Sequence, residues 1–199
     1  MASGGGYTVT RRVLIVEDEP QVAELYKSYL EDDYAVSVAN TAEEALDTVD
    51  DATDAVLLDR RLPDRPGSEV LAEIRDRGLD CRVAMVTAVE PDVDIVEMGF
   101  DLYLVKPATY DDIREVVERL ETRAGYDDAL QETAALVSKR AVLEAERTAA
   151  ELESSPEYRR LVDQIDDLQA EMDDLADEFS PDDYRMLFRD LGNEASESA

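Results

Sequence analysis

Between Arg12 and Arg123, short apolar runs alternate with stretches whose apolar residues recur at helical spacing. Val13–Val16, Ala35–Ala39, Ala55–Leu58, Val83–Val86 and Leu102–Val105 read as five strands. Val13–Val16 and Ala55–Leu58 are apolar at every position, as central parallel strands covered on both faces require. Between the strands, helix starts are signalled at Pro20, at the capping-box pattern Thr41-Ala-Glu-Glu44, at Gly67, at Pro91 and at Thr109. Repeated strand–helix alternation predicts an α/β domain built on a doubly wound, five-stranded parallel sheet.

Beyond Gly125 the pattern becomes helix alone. Asp127–Glu153 is rich in Ala, Glu and Leu without a break, and Ser154-Ser155-Pro156-Glu157 punctuates it, with Ser154 as cap and Glu157 reciprocating. Tyr158, Leu161, Ile165, Leu168, Met172, Leu175 and Phe179 then recur at alternating steps of three and four. Such a seam needs a partner, either the preceding helix folding back or the same helix of a second subunit in a homodimer. Ser180-Pro181-Asp182-Asp183 restarts a last short helix, which Gly192 ends. The expected organisation is a disordered tail at 1–10, the α/β domain at 11–124, an all-α helical hairpin or coiled coil at 125–191, and a tail at 192–199.

Composition narrows the chemistry. The 199 residues hold 50 acidic and 20 basic side chains, a formal charge of -30, with no histidine and one cysteine, Cys81. Disulfides, cysteine-based zinc clusters, histidine-dependent nucleophiles and phosphohistidine relay within the chain are therefore excluded. Lys27, Lys106 and Lys139 are the only lysines. An acidic, lysine-poor surface resembles proteins of extreme halophiles, whose molar salt screens the self-repulsion. The early apolar run Val13–Val16 is too short for a signal peptide or a membrane span, so no membrane partner and a cytoplasmic location are expected.

In doubly wound sheets the ligand site lies beyond the carboxyl ends of the strands, where strand order reverses. There the sequence puts Glu17-Asp18-Glu19, Asp59, Thr87-Ala88 and Lys106-Pro107. Glu17, Asp18 and Asp59 would repel one another unless a cation neutralised them, and hard carboxylate oxygens suit Mg²⁺. Mg²⁺ and Lys106 could together stabilise an incoming phosphoryl group, with the ionised Asp59 as nucleophile and the Thr87 hydroxyl in hydrogen-bonding reach.

Val13-Leu-Ile-Val-Glu-Asp-Glu-Pro20, Leu57-Leu-Asp-Arg-Arg-Leu-Pro63, Val86-Thr-Ala88 and Tyr103-Leu-Val-Lys-Pro107 resemble the receiver domain of two-component response regulators. That resemblance implies a flavodoxin-like fold, Asp59 as phosphoacceptor, and Asp18, Asp59 and the Arg61 backbone carbonyl as direct Mg²⁺ ligands, with Glu17 in the acidic pocket. It also implies Thr87 and Lys106 as phosphoryl contacts, Tyr103 as the aromatic switch, and a separate sensor histidine kinase as donor. Such a protein phosphorylates and dephosphorylates itself as a switch and is not a turnover enzyme. Lys139-Arg-Ala-Val-Leu-Glu-Ala-Glu-Arg147 through Tyr158 resembles the HalX-type helical domain appended to receivers in halophilic archaea.

Gly125–Ala199 carries 21 acidic and 7 basic residues. A DNA reader ordinarily shows a basic stripe, so output by protein interaction or self-association is the leading expectation. A transcription regulator whose helical end binds DNA is the alternative. A haloacid-dehalogenase-type phosphatase would want an aspartate two positions past the nucleophile, and Arg61 stands there.

Overall fold

A computed structural model describes residues 11–89 and 98–177. Strands β1 (Arg12–Val16), β2 (Ala35–Ala39), β3 (Ala55–Leu58), β4 (Arg82–Thr87) and β5 (Leu102–Val105) form one parallel sheet in the order β2-β1-β3-β4-β5. The sheet matches the expected fold class, and β1 and β4 are slightly longer than their apolar runs. Arg12 pairs with Ala35, Arg82 with Ala55, and Thr87 with Val105; backbone pairing extends a strand past the point where its side chains stop being apolar. From β1 the chain steps one way to β2 and the other way to β3, which places the switch point between the ends of β1 and β3.

The central strands are buried throughout, and Val13, Ile15, Leu57, Ala84, Val86 and Leu102 pack on Tyr26, Leu30, Ile113, Val117 and Leu120. Helix α1 (Pro20–Leu30) starts with Pro20 in its first turn, where a missing N–H costs nothing. Helix α2 (Ala42–Thr48) departs from the expected capping box. Thr41 Oγ1 accepts from the Glu44 amide at 3.1 Å, but the Glu44 carboxylate accepts from the Asn40 amide at 2.8 Å instead of from Thr41. The remaining first-turn amides, on Ala42 and Glu43, donate to Asp64 at 2.9 and 3.0 Å. Those bonds, the one from Ala42 first, hold the Asp64 carboxyl below its usual range.

Helix α3 (Gly67–Asp76) begins where its first residue meets the end of β3. A Cβ on Gly67 would stand 2.0 Å from the Asp59 carbonyl oxygen, and the Gly67 amide donates to the Arg60 carbonyl at 2.9 Å. Only a residue without a side chain fits there. The helix signal at Pro91 lies outside the described residues, as do the tails at 1–10 and 192–199, Phe179, the Ser180–Asp183 restart and its end at Gly192.

The chain divides into two compact units between Glu121 and Thr122. Helix α4 (Tyr110–Glu146) runs through both that division and Gly125 without a break. A single glycine in a helix costs only about 1 kcal/mol. The break falls instead inside Asp127–Glu153, at Arg147. There Thr148 and Glu151 form a reciprocal capping box that starts helix α5 (Ala149–Ser154). Helix α6 (Pro156–Asp177) is capped by Ser155, whose Oγ accepts from the Tyr158 amide at 3.2 Å. The expected cap, Ser154, donates to the Glu151 carbonyl at 2.8 Å and still belongs to α5.

Within this second unit the seam finds its partner in the same chain. Tyr158 OH donates to Glu144 Oε1 at 2.7 Å, Thr133 Oγ1 lies 3.8 Å from Met172 Sδ, and Gly125 faces Leu175. Later α6 positions therefore meet earlier α4 positions, an antiparallel hairpin with Ile165 only 1% exposed at its centre. No described helix is long and apolar enough to cross a membrane.

Two outcomes follow from these contacts. Gly67→Ala should lower stability by about 1–3 kcal/mol, the usual cost of overpacking, in urea unfolding. The Tyr34 hydroxyl donates to Glu121 at 3.1 Å, and burial, then the Glu121 charge, pushes its pKa from 10.0 up to about 12. A phenol so raised stabilises the fold below pH ~10 and loses that contribution as pH climbs through ~12. Tyr34→Phe should accordingly flatten the fall in unfolding free energy between those two pH values.

Candidate functional site

Three strand ends build one acidic cleft. Glu17 follows β1 directly, its amide bonded to the Ala39 carbonyl and its carbonyl to Asn40 Nδ2 at 2.7 Å. Asp59 follows β3, its amide bonded to the Val16 carbonyl. Lys106 follows β5, its amide bonded to the Thr87 carbonyl at 2.9 Å, and precedes a cis Pro107. Backbone ladders therefore fix all three side-chain roots, and the side chains meet. Lys106 Nζ donates to Glu17 Oε2 at 2.5 Å and to Asp59 Oδ2 at 2.6 Å. The second Asp59 oxygen accepts from the Arg61 amide at 2.9 Å, and Glu17 Oε1 from the Glu19 amide at 3.3 Å.

Glu17 and Asp59 are buried, at 2% and 7% exposure, whereas Asp18 beside them is exposed. One carboxylate oxygen from each of Glu17, Asp18 and Asp59 falls within 4.8 Å of the others. At that separation two like charges repel by about 3 kcal/mol at an effective dielectric of ~20. One ammonium against three carboxylates leaves the cleft anionic. Burial raises the Glu17 pKa above its ordinary value, outweighing the bonds from Lys106 and the Glu19 amide. For Lys106, burial alone would depress the pKa, but the bonds to Asp59 and Glu17 prevail and hold it above the usual value. Three oxygen donors, one of them open to solvent, fit a hard divalent cation that keeps part of its water shell.

Thr87 and Tyr103 lie on neighbouring strands and converge on a single residue, Val89. Thr87 is fully buried, and its Oγ1 accepts from the Val89 amide at 3.3 Å. Tyr103, half-buried, donates its hydroxyl to the Val89 carbonyl at 2.7 Å and stacks at a tilt 5.5 Å from Phe100. Arg61 has an exposed side chain.

Sequence reasoning passed over three contributors. Arg60 Nη1 reaches the Tyr103 hydroxyl at 3.5 Å, a pairing across 43 residues that no local pattern announces. Asn40 holds the Glu17 carbonyl from the end of β2. Tyr26, buried on the apolar face of α1, has its phenol pushed up by burial and feels the charges of Lys106, Glu17 and Asp59. Its place in the apolar repeat of α1 was the one available signal, and it reads only as core.

Comparison with known proteins converges on one family. Residues 13–118 match the response regulator receiver domain, and residues 122–188 match the HalX domain. A Haloferax volcanii protein provisionally named a transcriptional regulator is 46% identical over 160 residues, which cover 80% of this chain and 27% of that protein. Response regulator MprA of Mycolicibacterium vanbaalenii is 35% identical over 130 residues, 63% of this chain and 56% of that protein. The chain thus spans about a quarter and about half of these relatives' lengths. Among solved structures, the non-phosphorylated HemR receiver domain of Leptospira biflexa superposes with a TM-score of 0.53 at 31% identity, covering 56% of this chain and 94% of that one. With five parallel strands, a switch-point cleft carrying Glu17, Asp18, Asp59 and Lys106, and both domain matches in this order, the chain belongs to the response regulators of two-component systems, as a receiver domain followed by a HalX domain.

Proposed function

We propose that the cleft is a Mg²⁺-dependent phosphorylation switch, with Asp59 as phosphoacceptor and a sensor histidine kinase as donor. The observation that carries this reading is the meeting of Glu17, Asp18 and Asp59 oxygens within 4.8 Å, with Lys106 bonded to two of them. Asp18, Asp59 and the Arg61 backbone carbonyl would hold the cation, with Glu17 in its acidic surround. When bound, Mg²⁺ supplies the positive charge that lets these carboxylates accept one more anion.

Asp59 offers a carboxylate oxygen as nucleophile. It attacks phosphorus on the donor's phosphohistidine; a P–O bond forms, the P–N bond breaks, and the electron pair leaves on the imidazole nitrogen, which takes a proton from solvent. Lys106, already against Asp59, stays within reach of a phosphoryl oxygen and balances its charge. Water later cleaves the acyl phosphate, releasing inorganic phosphate and restoring the carboxylate. The protein is spent and restored once per signal and turns over no separate substrate.

The Val89 backbone supports a route for the switch. Thr87 holds its amide and Tyr103 its carbonyl. A Thr87 hydroxyl drawn to a phosphoryl oxygen gives up the Val89 amide, and the Tyr103 hydroxyl then loses its fixed acceptor. The two arrangements differ in population, not in covalent structure apart from the phosphoryl group. Output runs through the helical unit by protein interaction or self-association. ATP-fed kinases act in the cytoplasm, and this reading puts the protein there, in a salt-rich one.

Incubation with Mg²⁺ and acetyl phosphate in molar KCl, read by intact mass, tests the proposal. One phosphoryl adduct is expected, lost in Asp59→Asn and on chelation of Mg²⁺; an unmodified wild type, or an adduct undiminished by Asp59→Asn, overturns it. The exposed Arg61 guanidinium, two residues past Asp59 in sequence, would keep water from the acyl phosphate. Arg61→Ala should shorten adduct lifetime several-fold, and an unchanged hydrolysis rate would remove that role.

A further inference from the structure

The turn of the helical hairpin has features that the switch does not use. Along α4, buried positions recur at helical spacing through Arg123, Ala129, Thr133 and Leu136, as expected of a helix packed on a partner. The pattern then stops. Every residue from Ala141 to Ala150 is exposed, and six of those ten are apolar: Ala141, Val142, Leu143, Ala145, Ala149 and Ala150. Val142 is 64% exposed and Leu143 37%. Beside them an open cavity of about 320 Å³ is walled by Leu143, Leu152 and Tyr158, with Arg147, Glu151 and Glu157 around it. Exposed apolar side chains grouped beside an open cavity mark a contact site more often than a solvated face.

Charge decides what can cover it. Residues 139–160 hold five basic and five acidic side chains, whereas 161–177 hold seven acidic and no basic ones. In a chain of net charge -30, the turn is a neutral island. Its charges are already balanced at short range: Arg140 lies 3.7 Å from Glu144 and Arg147 3.9 Å from Glu151. A strongly basic or acidic partner would therefore gain no net attraction here. A second copy, repelled by the rest of the anionic surface, meets least repulsion at this spot, and the mixed charges complement themselves across a two-fold axis.

We infer that the hairpin turn, centred on Val142, Leu143 and the adjoining cavity, is a self-association surface occupied by the same surface of a second copy. The inference rests on the reading that the helical unit carries the output, and it makes the dimer a standing platform for that output. Because the surface is already exposed without a phosphoryl group, the dimer forms without one. Its contacts are apolar and the opposing force is whole-molecule repulsion, so association strengthens as salt rises.

Sedimentation of the full chain at tens of micromolar, without a phosphodonor, tests the inference. In molar KCl the wild type should sediment as a dimer and dissociate as KCl is withdrawn. Val142→Asp, at a position two-thirds open to solvent, should be monomeric in the same salt with an unchanged circular-dichroism melt. A monomeric wild type in molar KCl overturns the inference, and so does a Val142→Asp protein that remains dimeric. Acetyl phosphate modification of the same samples reports on Asp59 separately, so failure of the dimer and failure of the phosphoacceptor are told apart.

Discussion

The site depends on one cation-for-anions balance, the Lys106 ammonium set between the buried carboxylates of Glu17 and Asp59. Removing a buried charge's partner is costly, typically by about 3–5 kcal/mol, so β1, β3 and β5 must deliver their end residues to the same place. The parallel sheet does that through register. Lys106 is held by the Thr87 carbonyl, Asp59 by the Val16 carbonyl and Glu17 by the Ala39 carbonyl, each one ladder step beyond its strand. Because one ammonium cannot offset three carboxylates, the same arrangement that folds the cleft also leaves it short of positive charge. The need for a further cation is thus a property of the fold.

The neighbouring residue Val89 is where the proposed switch gives that charge balance a mechanical consequence. Both hydroxyls that reach it, Thr87 and Tyr103, come from adjacent strands paired in register. In the proposed switch, a change in what Thr87 binds would reach Tyr103 through that one residue, whose amide and carbonyl the two hydroxyls hold. Gly67 plays the complementary part on the other side, because its bare Cα lets α3 start against the Asp59 carbonyl and keeps the turn after β3 tight.

The central strands were legible because their interiors are apolar at every position, and the rule that ligands sit at the carboxyl ends put Glu17, Asp59, Thr87 and Lys106 at strand ends without any side-chain geometry. What escaped is long-range or degenerate. Asp64 caps α2 from 22 residues away, and Arg60 reaches Tyr103 from 43; neither pairing has a local signature. Ser154 and Ser155 are chemically equivalent caps in sequence, and the proline at the first helical position fixes the choice on Ser155. Thr148-x-x-Glu151 was a readable capping box, obscured by the unbroken Ala/Glu/Leu composition around it. Gly125 marked where the pattern becomes helix alone, but the helix that contains it starts earlier, at Tyr110.

Calorimetric titration of Mg²⁺ into the full chain in molar KCl tests the charge deficit most directly. Lys106 and the divalent cation draw on the same carboxylates, so Lys106→Met should bind Mg²⁺ several-fold more tightly than the wild type, while Asp18→Asn should bind it at least several-fold more weakly. Mg²⁺ affinity that is indifferent to both substitutions would contradict the account.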